Sequence, residues 1–189
     1  MAAPPQAPAE RHARIAAGFT AAVDRVGDWD APTPVPAWQA RDVPLHLVTW
    51  FQGFLAAGGV DLARPVDPAD LAGTWRGHAE EIQALLGSAA AGDDFTHPYA
   101  GTAPLAETID RFYTTDVLMH TWDLAESAGV PSGLDPVECE QLLEGMRPIE
   151  QLLRDSGQYG PAVPVAPDSD GVTRLMGFIG RDPEWRTHR

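Results

Sequence analysis

The stretch LAETIDRFYTTDVLMHTWDLA, residues 105–125, decides how this chain is read. Leu105, Ile109, Phe112, Asp116, His120 and Leu124 recur at intervals of four, three, four, four and four. At about 100° per residue these six side chains share one face of a helix. The face that should enter a core therefore carries a carboxylate and, one turn on, an imidazole. An unpaired carboxylate in a core costs on the order of several kcal/mol, so Asp116 needs a partner.

Working outward, the same helical period recurs along the chain, with Pro, Gly and Asp as punctuation. Residues 1–9 (MAAPPQAPA) read as a disordered tail ahead of a single domain, 10–189. A first helix is predicted from Glu10 to Val26, on the recurrence of Ile15, Phe19, Ala22, Val23 and Val26. The proline-rich WDAPTPVPAW, residues 29–38, must be extended. A second helix runs to Ala57. A third opens at Asp67-Pro68, with Asp67 as N-cap, and reaches Leu86. The fourth, Pro104 to Ala128, stops at Gly129. The fifth starts at Asp135-Pro136, with Glu138 spaced as in a capping box, and reaches Arg154. Residues 157–189 form a Pro/Gly-rich strap with one short apolar piece, Leu175 to Ile179. No strand has a convincing period. The connection between the second and third helices reads as short. The expectation is an all-α, antiparallel four-helix bundle with an extra C-terminal helix and an irregular strap.

Composition narrows the function. The 189 residues carry 13 Lys and Arg against 27 Asp and Glu, a net charge of −14. So acidic a chain repels phosphate backbones and anionic membrane surfaces, which argues against nucleic-acid and membrane partners. One cysteine, Cys139, excludes an internal disulfide and multi-cysteine zinc motifs. No leader-like apolar run stands at the N-terminus and no stretch is long enough to span a bilayer, so a cytoplasmic protein is expected.

The second helix repeats the contradiction of the fourth. His46 flanks the apolar face of Val43, Leu47, Trp50, Phe51 and Phe54. Asp116 and His120, four residues apart, stack on one face and can chelate one ion. With His46 they make a three-ligand set that leaves a position open, the pattern of a catalytic zinc site. Spacing alone leaves a second reading open, a core histidine bonded to an aspartate one turn away. Asp123 is the candidate to orient an imidazole from behind, or else a polar residue near a helix end.

The residues also carry a resemblance. Asp116-Val-Leu-Met-His120-Thr-Trp122-Asp123-Leu124-Ala125 resembles the D/E-xxx-H-x-W-D-L-A motif of the mycothiol-dependent maleylpyruvate isomerase N-terminal-like family, a branch of the DinB-like metal-binding four-helix bundles. PTPVPAWQARDVPLHL, residues 32–47, is similar to that family's first histidine motif. The tail, YGPAVPV at 159–165 and GRDP at 180–183, is similar to the ending of a small actinobacterial subgroup. The resemblance implies a bundle holding a divalent metal, zinc above all, on His46, Asp116 and His120. It also implies mycothiol as a thiol cosubstrate that adds to an unsaturated electrophile. The isomerase of that family carries Glu at the position of Asp116, many relatives carry Cys at that of Val35, and the isomerase has a second, C-terminal domain.

The expected function is therefore a metal-dependent thiol transferase or isomerase acting on a small thiol and an electrophile. The alternatives are a non-catalytic metal or small-ligand binding or regulatory module, or a homodimer clamped by the metal. The other polar residues read as bland. His12 belongs on the exposed side of the first helix or in its frayed start, His78 on a solvated face, His97 in a loop, idle or lining the pocket, and His188 at a loose terminus. Cys139 reads as a small core residue, Trp122 as helix packing or a wall of the site, and Arg41 and Arg181 as either substrate-binding or ion-paired.

Overall fold

The computed structural model describes residues 7–188. Four long rods make the bundle: α1 (Pro8–Val23), α2 (Asp42–Ala57), α3 (Leu71–Leu86) and a fourth rod. The fourth is built from α4 (Leu105–Thr108), a π-helical turn (Ile109–Thr114) and α5 (Thr115–Ala128). A hairpin of β1 (Asp94–His97) and β2 (Gly101–Pro104) precedes it, pairing antiparallel with Phe95 opposite Ala103. Then come α6 (Pro136–Met146), α7 (Glu150–Asp155) and α8 (Gly171–Phe178). The all-α bundle with an additional C-terminal helix stands. Its strap is more ordered than expected, because Asp170 caps α8 by accepting from the Thr173 amide at 2.9 Å.

α1 packs on α3 and on the fourth rod, and α2 packs on the same two. Fully buried Phe19, Val43, Leu47, Phe51, Leu55, Trp75, Ile82 and Leu124 fill the space between. Each such side chain contributes roughly 1.5–3 kcal/mol by leaving water. α1 and α3 run antiparallel, with Thr20 meeting Trp75 and Ala9 meeting Gln83. The connection expected to be short, residues 58–70, instead travels back along α3. Ala63 N–H donates to Glu81, Arg64 pairs with Glu80, and Asp67 N–H donates to Thr74. α2 and α3 consequently run in the same direction.

Several boundaries differ from expectation for local reasons. Pro8 and Ala9, assigned to the tail, already lie in α1; residues 1–6 of that tail fall outside the described residues. Asp67 does not cap α3. Its carboxylate accepts from the Ala69 amide in a tight turn, and Asp70 caps the helix through Gly73 N–H at 2.8 Å. Asp135 caps α6 through the Val137 amide, but Glu138 is drawn to Arg11 and Arg14 instead of closing a capping box. The fifth helix breaks at Arg147–Ile149, where Pro148 denies it a donor. Gly129, at φ 73°, ends α5 in the left-handed conformation that a C-terminal glycine supplies. Among the described residues, no helix is long and apolar enough to cross a membrane.

Candidate metal centre

The site forms where α2 crosses α5. His46 and Trp50 project from one α2 face at a four-residue interval; Asp116 and His120 do the same from α5. The two helices run antiparallel, so the stripes meet rung by rung. His46 faces His120 with ring centroids 5.0 Å apart, and Trp50 Nε1 donates to Asp116 Oδ2 at 2.9 Å. One turn further, Phe54 faces Phe112 at 5.6 Å.

The π-helical turn tunes this register. Leu105, Ile109, Tyr113 and Val117 are all buried and four residues apart. On a regular α-helix each such step drifts about 40°, and the wider π turn takes up the excess. Phe112, assigned by spacing to the central buried stripe, is displaced to its half-buried flank, and Tyr113 takes the core position.

The Asp116 carboxylate lies between the two imidazoles. Oδ2 is 3.4 Å from His46 Nε2, and Oδ1 is 3.6 Å from His120 Nε2. Both separations exceed the usual hydrogen-bond range of about 2.7–3.2 Å. An ion bound tetrahedrally at about 2.0–2.1 Å holds neighbouring donors roughly 3.3 Å apart, close to what is seen. All three donor atoms lie within 4.8 Å of one another, and among the described residues this trio is the group with that arrangement. The donor set, two imidazoles and one carboxylate, suits zinc and neighbouring divalent metals.

The surroundings orient the donors. His120 Nδ1 lies 2.9 Å from Asp123 Oδ2, which leaves Nε2 to face Asp116 and His46. Asp123 is fully buried and receives two further bonds from Arg181, Nε to Oδ1 at 2.8 Å and Nη2 to Oδ2 at 3.0 Å. Burial alone would raise the Asp123 pKa. The bonds and charges of His120 and Arg181 outweigh it and hold the carboxyl below its usual range. Burial likewise pushes the His120 imidazole down, but Asp116 and Asp123 together carry it above its ordinary value.

Aromatic rings wall the site. Trp38 stacks on His120, with centroids 5.5 Å apart and planes 14° from parallel, and also contacts His46 at 4.9 Å. It is presented by a turn in which Thr33 N–H donates to Trp38 C=O and Ala37 takes φ 66°. That left-handed conformation is costly for a non-glycine residue and sits directly before the ring. Burial, then the Asp116 charge, pushes the Tyr159 phenol up to about 12.

The sequence reading named His46, Asp116, His120 and Asp123, and the structure brings all four together. It missed Trp38 and Trp50 as site residues. The four-residue step from His46 to Trp50 was a usable signal; nothing local pointed to Trp38. Arg181 is ion-paired behind the site and Arg41 pairs with Asp30. Trp122 is a core residue, as is Cys139.

Two histidines read as exposed are core residues. His12 and His78 are 0% and 1% exposed, and both border the ring of Tyr113. His12 continues the stripe of Ile15 and Phe19, and His78 that of Trp75 and Ile82. Neighbouring Glu80 and Glu81 obscured the second. His97 is not in a loop but on β1, stacked on Phe54 at 4.0 Å. His188 is tied to Asp182 at 2.7 Å.

Comparison with known proteins agrees with this architecture. Residues 9–125 match the model of the mycothiol maleylpyruvate isomerase N-terminal domain. Uncharacterized proteins from two strains of Mycobacterium tuberculosis are 29% identical over 187 residues, spanning 92% of this chain and 97% of theirs. No solved structure matches the chain.

Proposed function

Because the chain belongs to the mycothiol maleylpyruvate isomerase N-terminal domain family, we propose that His46, Asp116 and His120 hold a divalent metal, zinc first, for thiol chemistry. The reaction is transfer of a low-molecular-weight thiol, mycothiol, to an unsaturated electrophile, or isomerisation of that electrophile through reversible thiol addition. Bound at these donors, the ion supplies Lewis acidity that favours the thiolate over the thiol. The observation that carries the reading is the Asp116 carboxylate set between two imidazoles at 3.4 and 3.6 Å.

The remaining work falls to the chain's own groups. Trp50 fixes the Asp116 carboxylate through its indole N–H. Asp123 fixes His120 from behind. Trp38 covers the imidazoles and limits water at the donor atoms. His46 and Asp116 keep part of their surface exposed, which leaves one side open to a ligand. A reducing, cytoplasmic setting belongs to the same reading.

The test is thiol consumption. Zinc-loaded protein is given mycothiol and a panel of unsaturated electrophiles, with H120A as control. Turnover by wild type that H120A lacks supports the proposal. Stoichiometric metal without thiol-dependent turnover transfers the case to a non-catalytic binding module.

A further inference from the structure

The bonds that orient His120 start in the C-terminal strap, outside the bundle. Arg181 follows α8 and lies 58 residues beyond Asp123 in sequence. It also lies outside residues 9–125, the part matched to the family. We propose that Arg181 is a positioning residue of the metal centre: through Asp123 it fixes the tautomer and direction of His120, so the strap completes the site. The metal half of this inference rests on the reading above; the tautomer half does not.

Three observations carry it. First, Asp123 is 0% exposed, and its two oxygens are shared between one imidazole and one guanidinium fork. Such a two-pronged contact fixes orientation as well as charge. With Arg181 supplying the counter-charge, His120 need contribute only an N–H, from Nδ1. Nε2 is then left as the lone-pair donor toward Asp116 and His46.

Second, the strap is built to hold that arginine still. Arg181 N–H donates to Met176 C=O at 2.9 Å, and Val163 N–H to Gly177 C=O at 2.8 Å. Arg154 Nη2 donates to Phe178 C=O at 2.6 Å. Gly180, at φ 88°, crosses Gly160 so closely that a Cβ there would stand 2.9 Å from the Gly160 backbone. Only glycine fits both the conformation and the approach.

Third, docking of the strap has its own fastening. Arg186 grips Glu126 with two bonds of 2.9 Å and donates to Val130 C=O. A role confined to fastening would make Arg181 and Arg186 equivalent, so the two arginines can be told apart.

The experiment compares R181Q, R181K and R186Q. In metal-free protein, at a pH alkaline enough to keep the imidazole neutral, NMR of nitrogen-labelled histidine reads the His120 tautomer. In the same proteins, competition against a chelating dye reads zinc affinity. Wild type should hold His120 protonated on Nδ1, and R181Q should lose that single tautomer. R181Q should also bind zinc roughly 10–100-fold more weakly, the usual effect of removing an outer partner. R181K, which keeps the charge without the fork, should fall between, and it carries the test if R181Q does not fold. R186Q should stay within about threefold of wild type, as for an exposed ion pair. An unchanged tautomer and affinity in R181Q, or an equal loss in R186Q, overturns the inference. Absence of zinc binding by wild type would sink the metal reading instead, while the tautomer comparison still decides the role of Arg181.

Discussion

Trp50 and Asp116 are joined across the α2–α5 crossing by a 2.9 Å hydrogen bond from indole Nε1 to carboxylate Oδ2. The bond sets the rung between the His46–His120 pair and the Phe54–Phe112 pair, and it aims the carboxylate at both imidazoles.

Trp50→Phe keeps an aromatic ring and removes that donor. A hydrogen bond to a charged group is worth about 1.5–3 kcal/mol, with the lower end apt for a partly exposed carboxylate. Zinc affinity should fall about tenfold while the circular dichroism spectrum is retained. Competition titration checks this, and equal affinity in the variant would remove Trp50 from the site.

Stability should depend on pH through His12 and His78. Burial first, then the neighbouring charges of Arg11 and His12 respectively, lowers their pKa values from 6.5 to about 4 and about 3. The unfolded chain binds protons on them near 6.5, and the folded chain resists until well below. Stability is therefore full above about pH 6.5 and is lost as pH falls toward 4, by on the order of a few kcal/mol per histidine. Urea midpoints at pH 7 and pH 5 measure the loss, and His78→Phe should make the difference smaller. An equal pH dependence in His78→Phe would mean that His78 is not the sensor.

Gly180→Ala should loosen the strap. The new methyl meets the Gly160 backbone at 2.9 Å, in a conformation that already disfavours any side chain. A loss of about 1–3 kcal/mol is expected from chemical denaturation. Because Arg181 is the next residue, zinc affinity should fall with it. A variant as stable as wild type would show that this crossing is slack.

Cys139 should be silent. It is fully buried, and burial, then Glu138, Asp135 and Asp170, pushes its thiol up to about 12. Thiol reagents should label it only as fast as the protein unfolds, and Cys139→Ala should leave zinc stoichiometry and any thiol turnover unchanged. Rapid labelling of native protein would contradict its placement.

Much of the bundle could be read from single residues because their physics is local. Gly129 ends a helix by its own φ of 73°, and Asp135 starts one with its own carboxylate. The site was half legible for the same reason, since Asp116 and His120 sit one turn apart and advertise themselves as polar groups on an apolar stripe. What spacing could not reveal lies in contacts between distant segments. Trp38 reaches His120 from 82 residues away, and Arg181 reaches Asp123 from 58. The π-helical turn is a third case. It is a compromise between the register of α4 and that of α5, and neither stretch records it alone.

The proposed centre requires one ion shared between α2 and α5. Elemental analysis of protein loaded with zinc and freed of excess tests it most directly, in wild type, His46→Ala and His120→Ala. One equivalent in wild type, lost in both variants whose fold is intact, is the predicted result. A wild type that retains no metal, or variants that retain a full equivalent, would contradict it.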